Sequence, residues 1–310
     1  LEIDCQLLGI SLVSQRQKGF FVFFPQSKDL QKDFLGILKE LFENENIEKV
    51  AHNLKFDKNV LLNYGIEVKG KTFDTLLAHY LLDPESRHKL DILSEKYLEY
   101  TMIDFETVFG NPQKTPITIE RLDPVLLTEY AVEDADVTFA LKPILEQELK
   151  QNNLLELFTN IEMPLVDVLL SMERTGVKID TAQLNQFSLS LQKHKQELEE
   201  RIYNLAGKEF NIASPKQLGI VLFEDLHITS NQKIKKTQTK QYSTSEDVLQ
   251  KLINQHEIIP LILEYRSLTK LKSTYVDALP EKEKKKTGKI HTNYKQATTS
   301  TGRLASENPN

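Results

Sequence analysis

Three side chains in two short strings have the types and spacing to do chemistry. The strings are Asn53-Leu54-Lys55-Phe56-Asp57 and Tyr130-Ala131-Val132-Glu133-Asp134. Asp57 follows an apolar run from Ile47 to Ala51 that reads as a strand, and it opens a helical pattern through Val60, Leu61 and Leu62. A carboxylate at the rim where a sheet hands over to a helix stands where α/β folds place ligands. Tyr130 and Asp134 are four residues apart in a helical pattern from about Pro124 to Leu149, so phenol and carboxylate share one face. Carboxylates that hold a divalent cation, beside a hydroxyl that orients water, are the parts of metal-assisted phosphodiester hydrolysis.

Each of these residues also has an ordinary reading. Asp is common near helix N-termini. A helical Asp134 can pair with Lys55 or Arg87, and a Tyr at helical spacing is more often a core aromatic. Glu133 and Asp136 lie on other faces of the same helix and read as structural or solvated.

The elements that must position these side chains are legible in the pattern. Leu7 to Val13 and Gly19 to Phe24 are β-rich segments around a polar Ser14–Lys18 stretch and predict a hairpin. Asp29 to Glu43 has helical spacing, with Asp29 as its N-cap. Strand, helix, short helix and long helix follow to about residue 150, which predicts an α/β domain with a mixed sheet. Gln151-Asn152-Asn153 is a polar break that marks a boundary between residues 1–150 and 151–310. Beyond it the chain reads as mostly helical. Ile161 to Arg174 is apolar at helical spacing. Thr181 to Leu205 is long and charged with a thin apolar stripe, as in a helix that projects from a body. Ser214-Pro215 and Ser245-Glu246-Asp247 open two more helices, and Asn231 to Tyr242 is a basic loop.

Composition narrows the classes. The chain has 310 residues, 40% of them hydrophobic, enough for two domains with cores. No apolar run is long enough for a membrane span. The net charge of -6 is uneven: residues 1–150 hold 17 basic against 26 acidic residues, and residues 151–310 hold 22 against 19. An acidic half suits a cation site and a mildly basic half suits phosphates, although both balances also occur on ordinary solvated surfaces. A single cysteine, Cys5, fits a reducing, cytoplasmic setting.

Read in order, the motifs resemble bacterial family A DNA polymerases. Asn53–Asp57 and Tyr130–Asp134 are similar to the second and third motifs of the proofreading 3'-5' exonuclease domain. Phe73-Asp74-Thr75-Leu76-Leu77, Arg87-His88, Ile161–Val166, Glu173–Val177, Leu271–Tyr275 and Thr301-Gly302-Arg303-Leu304 continue the series. The resemblance implies a ribonuclease-H-like exonuclease domain over residues 1–150, with its first strand upstream of Leu1. Residues 151–310 would then be the first part of a polymerase domain, with a mostly α-helical thumb. It implies a two-metal site for Mg²⁺ or Mn²⁺ with Asp57 and Asp134 as ligands, and Tyr130 orienting the attacking water. Asn53, Arg87 and His88 would hold a frayed single-stranded 3' end. Asp74 is expected to cap the helix after Phe73, and Phe56 stands where that motif allows Phe or Tyr.

The family's first motif, Asp-x-Glu, does not occur between Leu1 and Phe24, so two further metal-binding carboxylates are expected before Leu1. Lys270 and Lys272, with Ser273 and Thr274, match positions that meet the duplex backbone, and Arg303 one that reaches the primer-terminal minor groove. The catalytic aspartates of nucleotidyl transfer are expected beyond Asn310. The implied protein is thus a monomeric, nucleoid-associated DNA polymerase of replication and repair, and this chain an internal piece of it. Its partners would be single-stranded 3' ends and primer-template duplex, with no membrane. Two rivals remain: a stand-alone ribonuclease D-like exonuclease, and a DNA-binding module with a vestigial exonuclease.

Overall fold

The structure is a computed structural model that describes residues 5–111, 114–118, 121–228 and 242–309. The Lys233–Lys240 loop lies outside the described residues. The chain forms two compact units, one of residues 1–176 and 291–310, the other of residues 177–290.

In the first unit, β1 (Gly9–Gln15) and β2 (Lys18–Phe23) form the expected antiparallel hairpin. Helix α1 (Lys28–Glu43) follows, preceded by Ser27 at the cap position, so Asp29 falls in the first turn and is not the cap. Strand β3 (Lys49–Ala51) leads into α2 (Leu54–Leu62), and β4 (Thr72–Asp74) into α3 (Thr75–Leu82). β3 and β4 are parallel, with Ala51 opposite Asp74, so both strands give way to helices at one level. Antiparallel β1–β2 and parallel β3–β4 supply both strand directions of the expected mixed sheet, as separate two-stranded pieces among the described residues.

Helix α4 (Leu90–Leu98), the short α5 (Phe105–Phe109) and the small strands β5 (Gly110–Asn111) and β6 (Thr115–Pro116) lead to α6 (Pro124–Gln151). Asp123 caps α6 by accepting the N–H groups of Val125 and Leu126. This helix packs across β1, β2 and β3 and against α3 and α4. Its buried Val137, Leu141, Leu145 and Leu149 share a core with Leu54, Phe73, Leu77 and Leu93.

The polar break after Gln151 ends α6 but does not end the compact unit. Helix α7 (Leu155–Leu157), a π-helical turn (Phe158–Glu162) and α8 (Met163–Thr175) place Phe158, Met163 and Val166 in that same core. Burying these three side chains against Leu54 and Phe73 ties residues 151–176 to the preceding domain. Strands β7 (Asn293–Lys295) and β8 (Ala305–Glu307) belong to this unit as well. Lys55 Nζ, inside the Asn53–Asp57 string, bonds Glu173 of α8, the Asn293 side chain (3.2 Å) and the Tyr294 carbonyl. The same Glu173 carboxylate accepts the Tyr294 N–H at 2.7 Å.

The second unit is helical. It contains α9 (Thr181–Ala206), capped by Asp180, and α10 (Pro215–Ile220), capped by Ser214. The short α11 (Glu246–Lys251), α12 (Ile258–Leu271) and the short α13 (Ala278–Glu281) complete it. Leu198 and Ile202 of α9 bury against Ile258, Ile262 and Tyr265 of α12. Val177 and Ile290, the first and last residues of the unit, pair as an antiparallel bridge with N–H···O distances of 2.8 and 2.9 Å.

Candidate active site

The site begins with two helix starts served by one carboxylate. Asp74 Oδ1 accepts the N–H groups of Asn53 (3.0 Å) and Leu76 (2.9 Å), and Oδ2 accepts that of Leu54 (2.8 Å). Asp74 thus caps α3, as the sequence suggests, and also satisfies the first donors of α2, which the sequence does not reveal. The parallel register brings this about, since Ala51 and Asp74 are neighbours and the chain turns into a helix just after each. Asn53 makes its turn in the left-handed region (φ 68°, ψ 52°), a conformation Asn tolerates better than most residues. The turn leaves the Asn53 side chain exposed beside Phe56 and His88, which share a cavity of about 250 Å³.

Asp57, Tyr130 and Asp134 line one larger cleft of about 1450 Å³, together with Asp91 and the inner residues of β1. Burial, then the charge of Asp74, pushes the Asp57 carboxyl up from 3.8 to about 7. Asp57 is nevertheless exposed to water within the cleft, and that access moderates the shift. Among the described residues no cation offsets it. Asp134 is also pushed up to about 7, first by burial, then by the charge of Glu133, while a hydrogen bond from Tyr130 opposes the shift. Burial and the neighbouring Asp134 hold the Tyr130 phenol at about 12, so at neutral pH it keeps its proton and donates it to Asp134.

Hard oxygen donors with no positive charge to balance them fit a divalent cation. Among the described residues no three His, Cys, Asp or Glu side chains are grouped to hold a metal, so Asp57 and Asp134 fit as part of a ligand set. Asp91 is a third acidic group on this cleft, and its charge raises both Asp134 and Tyr130. Sequence reasoning missed it because an acid in the first turn of a helix looks like ordinary dipole compensation. Glu133 and Asp136 are engaged elsewhere. Glu133 accepts the Tyr100 hydroxyl (2.6 Å) and the Ile103 N–H (2.8 Å), and Asp136 pairs with Arg16 at 3.2 Å.

A metal-free chain stabilises the protonated forms of Asp57 and Asp134 on folding. The contribution is complete below about pH 3.8 and is lost as pH rises toward 7. A cation must displace those protons. The rise in Tm produced by Mn²⁺ will therefore be small at pH 6 and reach a plateau above about pH 8. An equal rise at both pH values would separate the cation from these carboxylates.

The remaining sequence-derived residues fall in three places. Arg87 and His88 lie in the loop between α3 and α4, Arg87 exposed and His88 half-buried. Lys270 and Lys272 belong to the second unit. Lys270 is exposed and borders a groove of about 640 Å³ with Arg266, Ser273 and Thr274. Lys272 is held at 2.7 Å by Asp277, a partner the sequence does not suggest, and this competes with any external phosphate. Arg303 is exposed just before β8 in the first unit, and its carbonyl accepts the Thr299 hydroxyl at 2.8 Å.

Two family descriptions divide the chain between them, 3'-5' exonuclease over residues 3–150 and DNA polymerase family A over residues 181–310. This defines the class as a DNA polymerase polypeptide with a 3'-5' exonuclease domain. DNA polymerase I of Pseudomonas aeruginosa is 41% identical over 99% of this chain and 34% of its own length. The enzyme of Geobacillus stearothermophilus is 41% identical over 98% of this chain and 33% of its own length. A solved structure, the POL domain of Pol1 from M. smegmatis in complex with DNA primer-template and dNTP, aligns with a TM-score of 0.78 at 29% identity. That alignment covers 94% of this chain and 47% of the other. The chain belongs to the DNA polymerase I family, and it spans about a third of the length of the curated relatives it matches.

Proposed function

We propose that the first unit carries a proofreading 3'-5' exonuclease, which hydrolyses the terminal phosphodiester of single-stranded DNA and releases a nucleoside monophosphate. The observation that carries this reading is the cleft itself. Two carboxylates with no compensating cation among the described residues face it, and a protonated phenol is bonded to one of them. Asp57 and Asp134 would hold Mg²⁺ or Mn²⁺, which when bound neutralises the phosphate and supports charge on the attacking and leaving oxygens. Tyr130, having spent its proton on Asp134, presents oxygen lone pairs that accept a hydrogen bond from the attacking water and fix its direction. Asn53, Arg87 and His88 hold the strand. Arg87 brings a guanidinium suited to phosphate, and Asn53 an amide at a backbone position fixed by Asp74.

The test uses single-stranded DNA labelled at its 5' end and a polypeptide that carries the Asp-x-Glu motif ahead of this chain. Stepwise shortening from the 3' end, dependent on a divalent metal and stopped by EDTA, is the expected result. Binding without metal-dependent shortening would leave only a DNA-binding module. Tyr130→Phe should retain more activity than loss of either carboxylate, with kcat lowered about tenfold to a hundredfold, because the metal ligands remain. A loss equal to that of Asp57→Ala would assign Tyr130 a larger role than orienting water.

The second unit and Arg303 are assigned to duplex DNA within a DNA polymerase of replication and repair. The M. smegmatis relative is solved with primer-template DNA, and the DNA polymerase family A match covers residues 181–310, which include Lys270, Lys272 and Arg303. Lys270→Ala should weaken duplex binding about equally for all sequences and reduce the salt slope by about one unit. Lys272→Ala should change the slope less, since its charge is already paired with Asp277. Equal slopes for Lys270→Ala and the unsubstituted protein would remove Lys270 from the phosphate contacts.

A further inference from the structure

His79 sits on α3 with no exposed surface, so both of its ring nitrogens need partners within the protein. Nε2 lies 3.1 Å from Lys96 Nζ, and Nδ1 lies 2.8 Å from Nδ1 of His88. An ammonium only donates, so Nε2 of His79 must accept. Lys96 is itself fixed by Asp83 at 3.2 Å and by the Tyr97 ring at 5.2 Å from its centroid. Burial and the Lys96 charge hold His79 at about 4, so it is neutral and its single proton lies on Nδ1. That proton is donated to His88 Nδ1. A proton on His88 Nδ1 would set two donors against each other at 2.8 Å, so the His88 proton resides on Nε2.

The backbone of this loop is fixed as well. The His52 ring bonds the Thr75 hydroxyl at 2.9 Å through Nδ1 and also bonds the His88 main chain. Tyr80 meets the His88 ring edge-on, with centroids 5.6 Å apart. Nε2 of His88 has no hydrogen-bond partner among the described residues, and the side chain lines the cavity shared with Asn53 and Phe56.

We propose that Lys96 and His79 are positioning residues that lock His88 in its Nε2–H tautomer. His88 then offers one neutral, pre-aimed donor to an acceptor on the bound single strand. This rests on the exonuclease reading for the identity of the ligand, but the tautomer lock itself does not. A neutral donor adds contact without adding attraction for bulk phosphate. It can therefore favour a strand seated in register over one merely attracted by charge. Lys96 lies eight residues from His88, on another element, and nothing in the motifs marks it.

The chain contains seven histidines, few enough to resolve in long-range ¹H–¹⁵N correlation spectra of the 310-residue protein labelled on imidazole nitrogen. His88 is assigned through His88→Gln. The expected spectrum shows His79 as a single Nδ1–H form and His88 as a single Nε2–H form, with Lys96→Met releasing both into exchanging mixtures. An Nδ1–H form or a mixture at His88 in the unsubstituted chain would overturn the proposal. Binding of a 5'-fluorescein oligothymidylate, followed by anisotropy in EDTA, supplies the second arm. Lys96→Met should weaken binding about threefold to tenfold with an unchanged salt slope, and Lys96→Arg should restore it. A slope reduced by about one unit would make Lys96 a direct phosphate contact, and unchanged affinity would make the lock irrelevant to binding; either result overturns the functional half. Absence of metal-dependent hydrolysis from the unsubstituted protein carrying the Asp-x-Glu motif would count against the exonuclease reading and leave the tautomer result standing.

Discussion

Asp57→Ala and Asp134→Ala will each remove nearly all metal-dependent 3'-5' hydrolysis, lowering kcat/KM by about 1,000-fold or more, while DNA binding in EDTA stays within about twofold. The size follows from what a bound cation contributes to phosphodiester cleavage, several kcal/mol, at about 1.4 kcal/mol per tenfold in rate. Both carboxylates face the same cleft and both are raised to about 7 by burial and neighbouring negative charge. Removing either one relieves that repulsion, so the metal-free variants should be no less stable than the parent at pH 8. Hydrolysis and thermal melting measured on the same preparations separate the two effects. Activity retained in both variants at saturating Mg²⁺ would sink the assignment of these residues to the metal.

Asp74→Ala is the substitution expected to damage the fold itself. The carboxylate is buried and holds the first N–H groups of two helices, those of Asn53 and Leu54 on α2 and of Leu76 on α3. Without it these donors are left buried and unpaired, at about 1–3 kcal/mol for each group that finds no water. A loss of about 3 kcal/mol or more should lower Tm by roughly 6–12 °C. Hydrolysis should fall as well, because α2 carries Asp57. Asp74→Asn, which keeps one acceptor oxygen, should lie between the two. A Tm within about 2 °C of the parent for Asp74→Ala would show that the clamp is dispensable.

Features of this molecule that depend on neighbouring residues are legible in the amino-acid sequence. The hairpin, the helix beginning after Asp123 and the Ser214-Pro215 helix start each depend on residues within a few positions of one another. The Tyr130–Asp134 pair is likewise legible, since helical spacing alone puts both on one face. Relations between distant segments are not. The second half of Asp74's work requires knowing that β3 and β4 are parallel neighbours. Asp91 escapes notice because its carboxylate reaches the cleft only once α4 is set beside α6. Asp277, which occupies Lys272, is five residues away across another π-helical turn (Lys272–Val276) whose geometry no periodicity predicts. The boundary near residue 151 marks the end of a helix, whereas compactness depends on where Phe158, Met163 and Val166 find apolar partners.

The bridge between Val177 and Ile290 carries a consequence for how the protein is made. Because the two ends of the helical unit lie side by side, it is an insertion in a body that resumes at His291. A ribosome delivers Lys55 and Glu173 well before Tyr294, whose backbone both of them bind. Until then the partly buried lysine and the buried glutamate have only each other, and the segment carrying Asn53 and Asp57 lacks its last anchor. Folding the insertion first brings its two ends together, and this replaces the closure of a long flexible loop by a short one. The segment carrying Asn53 and Asp57 therefore gains its last anchor only after residues 177–290 have been made.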